Sequence, residues 1–394
     1  MKQTLTVGFD AKRIVSNATG LGSYGRTLVN DLATLVAPVQ WRLYAPSVGR
    51  DDLRSQVIAR PNLSFVYPRS ATWGKALWRS HGIVTDLQRD GVQVFHGLSG
   101  ELPVGISSSG VKSVVTIHDL IFLRHPEYYH WLDTRIYAWK FRQTLREADR
   151  IVAISECTKR DIVELGHIDP NRVEVIYQSC ATRFGGQPSA AECAQLSNHY
   201  RLPHRYVLSV GTLEERKNML LAVKALPLLP PDVHLVCVGR TTPYTARLVK
   251  YAEANQLTPR LHLLHGVPDQ HLPALYAQAD AFVYPSRYEG FGIPIIEAIR
   301  QGLPVVACTG SCLEEAGGPH SLYVSPDDPM ALAHALSQML RGAEGRQQRI
   351  DLSRDYIRRF DGNDAANKFM QLYQQLCRPT TENETRNDGE FSWK

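Results

Sequence analysis

Short apolar, β-branched runs recur along the chain, and between them hydrophobic residues return at the helical period. Thirteen such runs predict strands. They fall at residues 5–10, 41–45, 63–67, 92–96, 114–118, 151–155 and 173–177, then at 206–211, 234–239, 261–265, 281–285, 304–308 and 322–324. Runs that are apolar throughout, rather than alternating, suit parallel strands buried on both faces by crossover helices. A polar stretch at 178–202, with Gly185, Gly186 and Pro188, separates the two series. The pattern therefore predicts an α/β chain of two doubly wound domains facing across a cleft, with ligands at the carboxyl ends of the strands. The expected boundaries are 1–180, a linker at 181–203, a second domain at 204–360, a closing helix at 361–378 and a disordered tail at 379–394.

Composition narrows this picture only slightly. The chain has 394 residues, and 43% of them are hydrophobic. No apolar run approaches the roughly 18 residues that span a membrane. The N-terminus runs straight into a strand without a signal-like segment, and the seven scattered cysteines fit free thiols in a reducing, cytoplasmic setting. The net charge of +5 lies entirely in residues 1–180, where 22 Lys and Arg face 17 Asp and Glu; the remainder carries 22 of each. Nothing in this balance calls for a nucleic-acid partner.

Residues 284–297, Tyr-Pro-Ser-Arg-Tyr-Glu-Gly-Phe-Gly-Ile-Pro-Ile-Ile-Glu, carry the densest chemical signal. Glu289 and Glu297 flank a Gly-Phe-Gly turn that leads into a helix start at Pro294. Free N–H groups at such a start, with the helix dipole behind them, favour an anion. Bare donors between two carboxylates suit a phosphorylated, hydroxyl-rich ligand such as a nucleotide sugar. Arg216 and Lys217, in the turn after the first strand of the second series, offer a planar fork and a point charge for a diphosphate; a solvated basic pair is the bland alternative. His118 closes the strand Val-Val-Thr-Ile-His and points either into the ligand crevice or to a partner in the core. Gly20-Leu-Gly-Ser-Tyr-Gly25 has the G-x-G-x-x-G spacing, but it lies about ten residues past its strand, and no acidic residue closes the second strand. It reads as a glycine-rich loop opening a helix at 23–35, with dehydrogenase chemistry a poor fit. No D-x-D triplet and no metal-spaced His, Cys or Asp set occurs, and Cys308 and Cys312 read as incidental. No cofactor or metal is expected. Residues 128–147 are rich in aromatics and arginine. Trp131, Thr134, Ala138, Phe141, Leu145 and Ala148 form an expected core face, while Arg135, Trp139, Arg142 and Arg146 form a basic face that suits either solvent or a membrane surface.

Together, the E-x7-E motif from Glu289 to Glu297, the Glu-Arg-Lys-Asn turn, the Thr-Ile-His-Asp strand end and the Gly-Leu-Gly-Ser-Tyr-Gly loop come in a familiar order and spacing. Over roughly residues 4–376 the chain resembles the GT4 family of retaining glycosyltransferases, whose fold is GT-B, two Rossmann-like domains. The resemblance implies that Glu297 holds the donor ribose and that Glu289 lies near the transferred sugar, with His118 beside the anomeric carbon. It also implies that Arg216, Lys217 and the N–H groups of Gly22, Phe291, Gly292 and Ile293 hold the diphosphate, and that the closing helix crosses back onto the first domain. The expected reaction is transfer of a hexose, by resemblance mannose from GDP-mannose, to a glycan or lipid-linked acceptor in surface polysaccharide (lipopolysaccharide-type) synthesis. Acceptor choice is expected in loops at 70–82 and 107–110. UDP-sugar transfer, sugar-nucleotide epimerisation and nucleotide-sugar sensing without catalysis are the rival readings.

Overall fold

A computed structural model describes residues 4–69, 74–360 and 362–378. Residues 379–394, expected as a tail, and 70–73 of the expected acceptor loop lie outside the described residues.

Two wholly parallel sheets organise the chain. The first holds β1 (Leu5–Asp10), β2 (Val39–Tyr44), β3 (Leu63–Val66), β4 (Val94–Gly97), β5 (Lys112–Ile117), β6 (Arg150–Ala153) and β7 (Val173–Val175), in the order β3-β2-β1-β4-β5-β6-β7. The second holds β8 (Arg205–Val210), β9 (Val233–Val238), β10 (Leu261–Leu264), β11 (Ala281–Tyr284), β12 (Val305–Cys308) and β13 (Leu322–Val324), in the order β10-β9-β8-β11-β12-β13. Each sheet reverses its winding once, between β1 and β4 and between β8 and β11. At these reversals neighbouring crossovers leave in opposite directions and open a crevice at the strand ends. Every expected strand forms, within a few residues of its expected ends. This is the two-domain GT-B architecture.

Each sheet is covered on both faces by apolar clusters. The helix Gly362–Leu376 lies against the helix Gly20–Thr34 and buries Ala366, Phe369 and Tyr373 in the first sheet's core. One core cluster joins the two halves, combining Ile121, Ile154 and Cys157 with Tyr288, Phe291 and Phe360.

Three local expectations change. The stretch 181–203 is no open tether: Phe184 is buried in the joint cluster, and Ala190–Tyr200 is a helix packed on the helix Leu272–Gln278. Ser189 caps it, its hydroxyl accepting from the Glu192 N–H at 3.2 Å. The helix expected at 23–35 begins at Gly20, so the glycine-rich segment is its first turn, not a loop. A Cβ on Gly22 would lie 1.8 Å from the Asn17 carbonyl oxygen, and one on Gly25 would lie 2.8 Å from Ile14, so these glycines serve close packing against the helix Lys12–Ser16. In the helix Trp131–Glu147, Phe141, Leu145 and Ala148 are buried as expected, whereas Trp131 is 64% exposed. Its N-terminal half also carries Leu132, Ile136, Tyr137 and Trp139 on the surface.

Candidate active site

The loops after β8 and β11 meet at the second sheet's reversal. After β8 the chain passes Gly211, whose φ of +149 lies outside the range of ordinary side chains, and forms a tight turn at Glu215–Lys217. Asn218 closes that turn at φ +53, with its amide donating to the Pro326 carbonyl at 2.8 Å. This conformation aims Arg216 and Lys217 at the loop after β11. Arg216 Nη1 lies 2.8 Å from Glu289 Oε2, and Lys217 Nζ lies 2.6 Å from Glu289 Oε1. Arg216 also pairs with Glu214 at 2.6 Å and donates to the Tyr288 carbonyl, while the Lys217 ammonium sits over the Tyr284 ring, 4.7 Å from its centroid.

All three charged groups are largely buried. Burial alone would push the Glu289 carboxyl up, but Lys217 and Arg216 outweigh it and hold it at about 2. Burial likewise works against the Lys217 ammonium, and Glu289 overcomes it and raises its pKa. Glu289 is thus a permanent anion clamped between two permanent cations.

The turn beside this cluster leads into a helix start with unpaired donors. Gly292, at φ +135, starts the helix Ile293–Arg300, and the N–H groups of Phe291, Gly292 and Ile293 make no hydrogen bond within the chain among the described residues. Phe291 anchors the turn by stacking on Tyr177 at 5.6 Å. Cys312 is not incidental: its buried thiol lies 3.1 Å from the Glu289 carbonyl oxygen and 2.6 Å from that of Phe291, behind the turn. Among the described residues, no group of three or more His, Cys, Asp or Glu could hold a metal ion.

Glu297 lies apart from the cations. Its carboxylate accepts from the Tyr276 hydroxyl at 3.0 Å, and burial pushes its pKa to about 7, with Arg183 acting in the opposite sense. His118 lies just past β5. Its Nε2–H donates to the Leu98 carbonyl at 2.9 Å, its Nδ1 accepts from the Gln178 amide at 3.3 Å, and its ring stands edge-on to Tyr24 at 4.6 Å. Burial lowers its pKa to about 4, so the imidazole is neutral at physiological pH with its tautomer fixed. Gly22 does not offer a free donor: its N–H goes to the Thr19 carbonyl at 3.0 Å.

The two halves are bolted together at this point. The Gly290 carbonyl accepts from Ser155 Oγ at 2.6 Å and from Thr158 Oγ1 at 3.0 Å. A Cβ on Gly290 would lie 1.9 Å from the His118 carbonyl oxygen, so only glycine permits this approach. Glu315 reaches across to accept the Glu156 N–H at 2.8 Å, at the start of the helix Glu156–Gly166, and the Tyr177 hydroxyl at 2.7 Å. The Tyr288 hydroxyl donates to Asp161 at 2.5 Å. Sequence reasoning missed this joint, whose only signal was position at strand ends. Asp119, the last residue of the Thr-Ile-His-Asp strand end, is pushed up by burial and feels Arg216, Glu289 and Lys217.

Two predictions follow from this chemistry. Replacing Glu289 by Gln leaves two buried cations without their carboxylate, and breaking such a pair costs about 3–5 kcal/mol. Urea denaturation checks this, and a loss under about 1 kcal/mol would contradict the clamp. For Glu297, the folded pKa of about 7 lies above the ordinary 4.5. Between these values the folded chain holds a proton that the unfolded chain has released, so this residue's contribution to stability falls as pH rises through that window. Glu297→Gln should therefore gain on the wild type between pH 4.5 and 7 in thermal melts. A pH-independent difference would refute the shift.

Comparison with known proteins agrees with this geometry. Residues 198–355 match the family model described as glycosyl transferases group 1, and residues 18–182 match that of glycosyltransferase family 4. The O-antigen chain mannosyltransferase B of Escherichia coli is 29% identical over 300 residues, covering 75% of this chain and 74% of that protein. The serotype-specific mannosyltransferase WbdA of Escherichia coli is 30% identical over 63% of this chain, but the match spans only 32% of WbdA. Among solved structures, the sucrose-phosphate synthase of Thermosynechococcus elongatus superposes with a TM-score of 0.76 at 20% identity, over 94% of this chain and 99% of that one. Anabaena HepE in complex with UDP and glucose superposes with a TM-score of 0.73 at 16% identity, over 95% and 100%. The paired family models, one on each sheet, identify the chain as a member of the GT4 family, a glycosyltransferase of the GT-B fold.

Proposed function

We propose that this glycosyltransferase is a retaining mannosyltransferase, moving mannose from GDP-mannose to a growing, lipid-linked surface glycan of the lipopolysaccharide type. The observation that carries the proposal is the pair of cations, Arg216 and Lys217, fixed on Glu289 beside the unpaired N–H groups of Phe291, Gly292 and Ile293. Charge builds on the diphosphate as the glycosidic bond breaks, and preorganised cations and N–H donors aimed at that charge form the largest catalytic contribution in such sites. These groups neutralise the leaving group without a metal. Glu297, partly protonated at neutral pH, exchanges hydrogen bonds with the ribose hydroxyls. The similarity to O-antigen mannosyltransferases supports mannose and a polysaccharide acceptor.

The clamp on Glu289 favours one mechanism. A carboxylate held at about 2 by two cations is a poor nucleophile for a covalent intermediate. Its role is to hold Arg216 and Lys217 and to meet the sugar hydroxyls. The anomeric C–O bond breaks and its electrons leave on the phosphate oxygen. The acceptor hydroxyl attacks the same face and gives its proton to that oxygen, so configuration is retained. Neutral His118, its ring nitrogens held by Leu98 and Gln178, presents an uncharged ring beside the reacting carbon.

Among the described residues, no helix is long and apolar enough to cross a membrane. The exposed Trp131, Leu132, Ile136 and Trp139, flanked by Arg135, support peripheral contact with the inner, anionic face of a membrane.

Diphosphate release and product linkage, followed with GDP-mannose, UDP-glucose and UDP-mannose, test the reading. GDP-mannose should turn over fastest and give an α-linked product, and Lys217→Ala should lower kcat about 100–1,000-fold. Preferential turnover of a UDP-sugar would overturn the donor, and a wild-type rate for Lys217→Ala would overturn the site.

A further inference from the structure

The two loops that carry the clamp have a second face. Arg216, Lys217 and Glu289 meet at the reaction centre, while their neighbours Glu215, Asn218 and Arg287 line a separate cavity of about 220 Å³. The start of the helix Thr245–Ala254 and the segment 326–329, after β13, complete its walls.

Three cations from three elements converge there. Lys224 comes from the helix Met219–Ala225, Arg247 from the helix Thr245–Ala254 and Arg287 from the loop after β11. Arg247 pairs with Glu215 at 2.7 Å, and Arg287 pairs with Asp327 at 2.6 Å. Each pair engages one guanidinium nitrogen, and a guanidinium carries five N–H groups, so both arginines keep donors for a further acceptor. Lys224 has no carboxylate partner among the described residues; its ammonium sits 5.9 Å from the Tyr251 ring centroid. Three cations against two carboxylates leave the lining one positive charge. Tyr244 adds an independent observation. It is 8% exposed, and its hydroxyl accepts the Leu220 N–H at 3.0 Å, but the hydroxyl proton has no acceptor among the described residues. Burial pushes the Tyr244 pKa up, so that proton stays in place. A largely buried O–H donor that lines a cavity and finds no acceptor in the chain calls for an acceptor that enters from outside.

We propose that this cavity is a second anion site, holding a small phosphomonoester on Lys224, Arg247, Arg287 and the Tyr244 hydroxyl, and that its ligand acts on the clamp from behind. All four groups donate, and both carboxylates of the lining already accept from arginine. A phosphate supplies acceptor oxygens in several directions and suits the arginine fork. The cavity is smaller than the roughly 300–1,000 Å³ of drug-sized sites, so a phosphate on a few carbons fits and a nucleotide does not. The route to the clamp is one turn thick. Arg247 holds Glu215, the Pro326 carbonyl holds the Asn218 amide at 2.8 Å, and the Arg287 N–H donates to the Arg216 carbonyl at 2.9 Å. An anion that ties Arg247 to Arg287 therefore fixes both clamp-bearing loops and tightens a diphosphate held between them. That second effect rests on the glycosyltransferase reading of the clamp; the anion site itself does not.

Calorimetric titration of glycerol 3-phosphate, inorganic phosphate and glycerol into the full chain, with the clamp filled by saturating GDP, tests the site. Both phosphates should bind and glycerol should not. Lys224→Ala and Tyr244→Phe should each weaken binding at least about fivefold, the loss expected for one hydrogen bond to a charged group. Lys224→Ala should keep the wild-type melting temperature, since the side chain is exposed. No binding of either phosphate, or unchanged affinity in Lys224→Ala, would overturn the site. GDP should in turn bind at least about fivefold more tightly when glycerol 3-phosphate is present, and this gain should vanish in Lys224→Ala. An unchanged GDP affinity would overturn the action on the clamp. If GDP itself fails to bind, the donor reading falls, and titration of phosphate into the free protein still decides the site. Binding lost in Lys224→Ala and kept in Lys217→Ala supports it, and the reverse pattern places the anion in the clamp and overturns it.

Discussion

A buried carboxylate between two buried cations is the constraint around which the reaction centre is arranged. Neither Arg216 nor Lys217 could be kept out of water alone, because an unpaired buried charge costs several kcal/mol. Glu289 offsets that cost and at the same time fixes where both cations point. The strain in the surrounding backbone follows from this. Gly211 and Gly292 take conformations closed to other residues, and Asn218 sits in the left-handed region, so that two loops from adjacent strands can bring three charges within one hydrogen-bond radius. Under the proposed function, an incoming diphosphate would meet preorganised donors rather than flexible ones, so less ordering entropy would oppose binding.

The second dependency is the joint between the halves. The loop that carries Glu289 is the same loop whose next residue, Gly290, lies against the His118 carbonyl and is held by Ser155 and Thr158. Closing the two domains and placing the clamp beside His118 are therefore a single packing event. Glu315, seated on the start of the helix Glu156–Gly166, and the Tyr288–Asp161 bond extend the joint away from the chemistry. Each sheet contributes its reversal crevice, one lined by the clamp and the other by a groove in which Lys12, Lys75, Arg79 and Lys140 outnumber Asp10 and Glu101.

The strands were legible because parallel strands buried on both faces need uninterrupted apolar runs rich in β-branched residues. The turn at 289–297 was legible because glycine, proline and carboxylates stand at fixed offsets within it. The pairing of Glu289 with Arg216 and Lys217 was not, since contacts between loops of non-consecutive strands leave no local period. For the same reason the groove at the first sheet's reversal, assembled from six separate segments, left no motif. Other misses had readable causes. Ser189 and Glu192 form a helix-start signature inside the stretch expected as a linker, and their spacing was available in the sequence. Gly22 looked like a phosphate-loop glycine, but a packing glycine has the same letter, and only the 1.8 Å approach to Asn17 distinguishes them. Trp131 has the period of a core residue, yet period alone does not tell where a helix outruns the body it packs on.

Calorimetric titration of GDP and of GMP into the wild type and Lys217→Ala tests the clamp as a diphosphate site most directly, with no acceptor or turnover involved. The account predicts that GDP binds the wild type at least tenfold more tightly than GMP, a difference of about 1.4 kcal/mol, and that Lys217→Ala erases this difference. Equal affinities for the two nucleotides in the wild type, or a tenfold preference for GDP that survives in Lys217→Ala, would contradict it.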